Sequence, residues 1–408
     1  MRIRSITYFI DPHWPVDDQA IQQAAAFSLA ARQVFESAGF EVQTTRLASI
    51  PFPQLLPELT AQSLLSLTSQ MEEVVRQSDF EYVSLGPALP DKPQAYELIA
   101  EAIAATKNIF FSGLMTTPGG GVSLPATRAC AQVIHDAAQL SPDGFANLRF
   151  AALANVPAGA PFFPASYHQG TQPGFALAME AADLAVRAFS QSGSLEQARQ
   201  DLVDEIERLA GQLDHIAQEL SHQFNIAFKG LDFTLAPFPN PDLSFGTAIE
   251  RIGSPASGLH GSLVAAAILA DTLDQAKYPR TGFNGLMMPV LEDATLAERA
   301  AQGSLSVKDL LMYSAVCGTG LDTIPLPGDA SPQQLQAVLL DLAALSQRLD
   351  KPLTARLMPI PGKAAGDPTG FDFAFFANSR VMALEASPLS GYLAGEETFV
   401  VKQRGKRL

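Results

Sequence analysis

Cysteine is nearly absent: the 408 residues carry two, Cys130 and Cys317, and neither belongs to a C-x-x-C pair. That excludes a disulfide framework, and no cluster has the ligand spacing of a zinc site. Positive charge is scarce as well. Lysine and arginine total 27 against 42 aspartates and glutamates, a formal charge of −15. Nucleic-acid phosphates and anionic lipids are repelled by such a chain, so neither is expected as a partner. Long apolar runs are also missing. "LVAAAILA" at 263–270 falls far short of a membrane span, and Asp11 and Pro12 break the amino-terminal run before it resembles a signal segment. A cytoplasmic protein without a membrane partner is the expectation.

What is present suits a deep core: 47% of residues are hydrophobic and 17% charged. A rhythm recurs in which a short apolar run meets a Pro/Gly-rich break and a helical pattern follows. The runs are "IRSITYFI", "FEVQTTRL", "EYVSLG", "NIFFSGLM", "LRFAALANV", "LDFTLAPF", "GFNGLMMPV", the stretch before Cys317, "LTARLMPI" and "SRVMAL". They read as near-continuously apolar, as strands covered on both faces do, and they alternate with helices in a mainly parallel α/β pattern of roughly ten strands. An Ala-rich helix is expected from about Asp18 to Ala38. From Gly174 to Leu235 there is no proline, and Leu202, Ile206, Leu209, Leu213, Ile216, Leu220 and Phe224 step by threes and fours. That is a long amphipathic helix, either packed on the sheet or serving a homo-oligomer, with "SQSGS" separating it from a helix read over "FALAMEAADLAVRAF".

Blocks such as "SFGTAIERIG", "GLHGSLVAAAILAD", "GFNGLMMPVLED", "SAVCGTGLDTIPLPGD" and "LDKPLTARLMPIPGKAAGD" resemble uncharacterised protein family 0210, domain of unknown function 711. That family is grouped with the pyruvate formate-lyase-like, glycyl-radical-type barrels. The resemblance implies a ten-stranded α/β barrel. With no linker rich enough to divide the chain, residues 1–395 read as one domain, with the helical segment at about 174–227 and a basic tail at 396–408. It implies no particular reaction. Glycyl-radical enzymes carry Arg-Val-x-Gly near the carboxy terminus, whereas this chain has Arg380-Val381-Met382-Ala383. Alanine lacks the planar radical stabilisation of glycine, and Gly391 lacks the Arg-Val context, so radical chemistry is excluded.

Candidate site residues fall at expected strand ends, where α/β folds gather their loops. Cys317 is either a thiolate nucleophile, with His260 as partner, or a buried small residue. Asp322 would raise the thiol pKa, which weakens the first reading. Glu292 and Asp322 are candidates for acid and base, and Asp293, Asp322 and Asp329 for a divalent metal such as Mg²⁺, with helix capping as the rival role for Asp293. Arg356 and Lys363 suit an anionic substrate group. Gly318, Gly320, Gly119 and Gly120 offer backbone N–H groups in turns. Ser262 does not sit in a G-x-S-x-G elbow. The aromatic loop "FFPASYH" at 162–168 could line a pocket. The expected function is an enzyme acting on a small polar metabolite by non-radical chemistry. The rival is an inactive metabolite-binding or assembly protein on the same fold.

Overall fold

Along the strands, large apolar residues alternate with small or polar ones, and this alternation by size sets the two faces of the sheet. The computed structural model describes residues 1–316 and 318–403. Its strands are β1 (Arg2–Ile10), β2 (Thr45–Pro51), β3 (Tyr82–Ala88), β4 (Ile109–Leu114), β5 (Gly121–Ser123), β6 (Phe150–Ala154), β7 (Gly174–Glu180), β8 (Ala227–Asp232), β9 (Gly320–Pro327), β10 (Leu353–Ile360) and β11 (Thr398–Val400). Nine of them form one sheet in the order β8-β7-β1-β2-β3-β4-β6-β10-β9, and β11 pairs with β5. The pairs β1–β2, β2–β3, β3–β4 and β4–β6 are parallel, as are β7–β8 and β9–β10, whereas β1–β7 and β6–β10 are antiparallel. The sheet therefore consists of a five-strand parallel block flanked by two parallel pairs running the other way.

One face carries Ile6, Tyr8, Leu47, Val83, Leu85, Phe111, Leu177 and Met179, buried in a core shared with the helices. The opposite face is built mostly of small residues. In register across it lie Ser5 with Ala178, Thr7 with Ala176 and Phe9 with Ala48. The space they leave is filled by the irregular segment between β6 and β7. Pro161 O accepts hydrogen bonds from Ser5 and Thr7 at 3.2 and 3.0 Å, and Ser166 O accepts one from Ser84 at 2.8 Å. Phe163 packs against Phe9, Ala48 and Ala176, and Phe162 against Ala178. Larger side chains on this face would exclude the segment.

The edges of the sheet, β8 and β9, meet the same stretch of chain. Leu231 N donates to Pro279 O at 2.8 Å, Leu235 N to Gly285 O at 3.0 Å, and Val290 N to Asp322 O at 3.1 Å. Buried Asp232 fixes this stretch by accepting from Phe283 N at 2.7 Å and Asn284 N at 2.9 Å. The run "GFNGLMMPV" thus makes one isolated bridge, Pro289 with Asp322, instead of the regular strand expected of it. Its glycines and Pro289, which lacks an N–H, interrupt a continuous ladder.

Other expectations shift. The stretch before Cys317 is a helix, Val307–Val316, and the strand follows the cysteine as β9. "FALAMEAADLAVRAF" divides into β7 and the helix Ala182–Gln191, because its first half alternates large and small residues and pairs with β1. "SRVMAL" forms no strand beyond a single bridge from Arg380 to Pro368. Helices Asp18–Ser37 and Leu195–Phe224 are as expected. In the long helix Leu202, Ile206, Leu209, Leu213 and Leu220 are buried against the chain's own core, so that seam is not an open oligomer surface. Part of the basic tail docks as β11, and residues 404–408 lie outside the described residues. No helix among the described residues is long and apolar enough to cross a membrane.

At the far end of the filling segment His168 is 1% exposed, and neither ring nitrogen has a hydrogen-bond partner among the described residues. Burial, with Lys229 nearby, pushes its pKa down from 6.5 to about 4. The unfolded chain therefore takes up this proton first, and the stability it confers is full above pH 6.5 and lost as pH falls towards 4. Between pH 7 and 5 the wild type should lose about 2 kcal/mol from this group. Urea midpoints at the two pH values should show a correspondingly smaller loss in His168→Leu.

Candidate functional site

Four charged side chains meet where β1, β9 and β10 face the turn after Val290. Arg356 donates from Nε to Asp322 Oδ1 at 2.6 Å and from Nη2 to Glu292 Oε1 at 2.7 Å. Arg4 binds the other oxygen of Glu292 and donates from Nη1 to Pro237 O at 3.2 Å. Glu292, Asp322 and Arg356 are all buried.

Two bulges present these groups. Arg4 stands at the register break between Ile3 and Ser5 in the β1–β7 ladder. Arg356 stands at the break in the β9–β10 ladder, where Ala355 pairs with Leu321 but Leu357 pairs with Ile324. The extra residue therefore belongs to β9, in the Asp322–Thr323 step. Thr323 holds φ +42°, a conformation that costs a β-branched residue energy and bends the strand at the site.

The network makes the two carboxylates unlike. Burial raises the pKa of Glu292, but the charges of Arg356 and Arg4 outweigh it and hold the group below its ordinary value. For Asp322 burial dominates, opposed by Arg356 and reinforced by the charge of Glu292, so its pKa is raised. Glu292 is thus the fixed anion and Asp322 the better proton carrier. One Asp322 oxygen is committed to Arg356, and the other has no hydrogen-bond partner among the described residues.

These groups border a cavity of about 80 Å³, lined by Arg4, Arg46, Arg356, Glu292 and Asp322 and walled by Tyr82, Phe110, Phe162, Phe163, Phe373 and Phe375. Arg46 comes from β2 and is buried; its Nε donates to Thr44 Oγ1 at 2.8 Å. Its guanidinium carbon lies 5.1 Å from the Phe163 ring centre and 5.9 Å from that of Tyr82. Burial, with the charge of Arg4, lowers its pKa to about 9, so it remains a cation at neutral pH.

The structure brings together Glu292, Asp322 and Arg356 from the sequence candidates, and it places the rest elsewhere. Cys317 lies outside the described residues. His260 is exposed in the turn before helix Ser262–Gln275. Asp293 is buried and caps a helix, accepting from Thr295 N and Leu296 N at 2.9 Å and from Ser244 Oγ at 2.6 Å. Asp329 is exposed beyond the end of β9, and Lys363 is half-buried in the turn after β10. No three His, Cys, Asp or Glu side chains converge as metal ligands among the described residues. Asp293, Asp322 and Asp329 do not form the metal site expected of them, because they occupy a cap, the network and a surface loop.

The glycines answer to the backbone. Gly320 has φ +103°, and a Cβ there would stand 2.1 Å from Thr354 O. Gly318 is buried at the helix-to-strand junction, while Gly119 and Gly120 form the turn leading to β5. None of the four lines the cavity. Sequence reasoning missed Arg4, Arg46 and most of the aromatic wall. The available signal was an arginine inside an otherwise apolar or small-residue strand, as in "IRSITYFI" and "TRLASIP". The "FFPASYH" loop does supply Phe162 and Phe163 to the cavity.

Residues 1–377 match the family described as "Uncharacterised ACR (DUF711)". The chain belongs to that family. It is 29% identical to a UPF0210 protein of Pyrobaculum arsenaticum, over 83% of this chain and 78% of the relative. A UPF0210 protein of Pyrobaculum aerophilum is 30% identical with the same coverage, and one of Methanosarcina acetivorans is 26% identical over 91% of this chain and 81% of its own. Every residue lining the cavity falls within the family match.

Removing Arg356 strands the buried Asp322 carboxylate and leaves Glu292 with Arg4 alone. Arg356→Met should cost about 3–5 kcal/mol in urea unfolding. Arg356→Lys should recover only part of it, because a single ammonium does not reproduce the planar fork between Asp322 and Glu292.

Proposed function

We propose that the protein is an enzyme that moves a proton on a small molecule held in the arginine-lined cavity, by non-radical chemistry, within a ten-stranded barrel of the pyruvate formate-lyase-like type. Support for the barrel comes from the stretch 279–290. It bridges β8 through Arg280–Leu231 and β9 through Pro289–Asp322, in parallel with each. Counted as a strand, it makes five strands running each way and closes the gap between the two edges. The carrying observation for the chemistry is Asp322: a buried carboxyl at the cavity wall with one oxygen fixed by Arg356 and the other without a partner among the described residues.

Each group then has a role. Asp322 takes or gives the proton through its open oxygen, with its raised pKa bringing it nearer to neutral pH than an ordinary aspartate. Glu292 stays ionised and holds Arg4 and Arg356 in place. Guanidinium groups at the wall stabilise negative charge that develops on a carbonyl oxygen when the adjacent carbon loses its proton. The reaction class is proton abstraction beside a carbonyl.

Small carbon acids incubated with the protein in D₂O provide the test, read by NMR loss of the exchanging C–H signal. The wild type should exchange at least one bound carbon acid, and Asp322→Asn should slow that exchange by about 100-fold or more. Its amide oxygen can still accept from Arg356, so the fold is expected to survive. Undiminished exchange in Asp322→Asn, or no exchange of any carbon acid the protein binds, would overturn the proposal.

A further inference from the structure

The arginines of the cavity differ in one respect. Arg4 and Arg356 spend their terminal nitrogens on Glu292 and on the carbonyls of Pro237 and Leu148. Arg46 has only the bond from Nε to Thr44, and neither terminal nitrogen has a hydrogen-bond partner among the described residues. Glu81, whose charge reaches Arg46, is already held by Arg32 and by Thr45 N. A buried guanidinium with open donors is costly unless something accepts them. The rings of Phe163 and Tyr82 flank it, and aromatic faces attract the cation without supplying in-plane acceptors. The open edge of the fork is therefore presented to the cavity.

We infer that Arg46 receives the carboxylate of a small monoanionic ligand whose apolar body packs on the aromatic wall. This rests on the cavity being the ligand site proposed above, and adds the chemical class of the ligand. Thr44 holds Nε, so Nη1 and Nη2 remain to grip two oxygens together, the geometry in which a guanidinium recognises a carboxylate. Charge fixes the valence. Three guanidinium groups and two carboxyl groups line the cavity, leaving one positive charge for the ligand even with both carboxyls ionised. Glu180 stands behind Arg4 at 3.9 Å, with the amino-terminal ammonium also near, and is not part of the cavity wall. A phosphate dianion would overshoot this balance. Phe110, Phe162 and Phe373 offer apolar surface beside the head group, so a bare small anion leaves that surface unused.

Titration calorimetry on the full chain tests this with benzoate and phenylacetate, against benzamide as the neutral isostere, acetate as the head group alone and phenylphosphonate as the dianion. Benzoate or phenylacetate should bind about 10- to 100-fold more tightly than benzamide and acetate, and more tightly than phenylphosphonate. Arg46→Met should lose that advantage while leaving benzamide unchanged. Arg46→Met removes an unpaired buried cation and so should fold; Arg46→Lys, which keeps the charge but not the fork, should retain part of the affinity. Asp322→Asn keeps Arg46 and so should still bind benzoate more tightly than the neutral benzamide, so a failure of proton transfer is distinguishable from a failure of ligand recognition. The inference is overturned if benzamide, acetate or phenylphosphonate equals the aryl carboxylates, or if Arg46→Met binds them as the wild type does.

Discussion

A single carboxylate, Glu292, holds two arginines that arrive from distant parts of the sheet. Arg4 belongs to β1, third from one edge, and Arg356 to β10, next to the other edge. Glu292 itself follows the stretch that bridges both edges. Buried charges of this kind are costly alone and tolerable together, so each partner fixes the position of the others. The bulges in β1 and β9, the turn after Val290 and the mouth of the cavity therefore depend on one another. A shift in any of them would leave an ion without its partner.

The small-residue face follows a different constraint. Strands that must accept a chain segment against them carry few bulky side chains on that face, and serine, threonine and alanine recur at Ser5, Thr7, Ala48, Ser84, Ala176 and Ala178, with Phe9 and Phe110 packing on Phe163 of the segment. The segment brings its own large groups, Phe162 and Phe163, and these become both packing and cavity wall. Such filling is less complete in polar terms than strand packing. Ser112 Oγ, Ser166 Oγ and both nitrogens of His168 are buried without hydrogen-bond partners among the described residues. Well-packed apolar strands on the helix-facing side show how the fold supports this looser polar interior.

Much of the fold was legible because strands, breaks and helix caps leave local signals. "NIFFSGLM" and "LTARLMPI" became β4 and β10, and Asp18–Ser37 and Leu195–Phe224 became helices. β7 was misread because alanine favours helices, and the pairing with β1 that makes it a strand is not local. β9 was displaced to the wrong side of Cys317 for a similar reason, since the apolar run before it is a buried helix. The site was half legible. Glu292, Asp322 and Arg356 stand at a predicted strand end or within strands that signal themselves, but the bulges that turn Arg4 and Asp322 toward one cavity arise only from pairing registers. Asp293 follows Glu292 directly yet serves a helix cap, so adjacency in sequence separated nothing that the turn then divided.

A protein of formal charge −15 has here a cavity in which guanidinium groups outnumber carboxyl groups. This inversion explains how one network creates two different carboxylates and one open cation. Glu292 lies between Arg4 and Arg356 and is held as an anion, while Asp322 shares only Arg356 and feels the charge of Glu292. Arg46 remains over because both carboxylates are already engaged by other arginines and Thr44 takes only its Nε. Proton-carrying ability at Asp322 and anion recognition at Arg46 are therefore consequences of the same unequal pairing. A third carboxylate placed on Arg46 would satisfy the buried charges and close the site to a ligand.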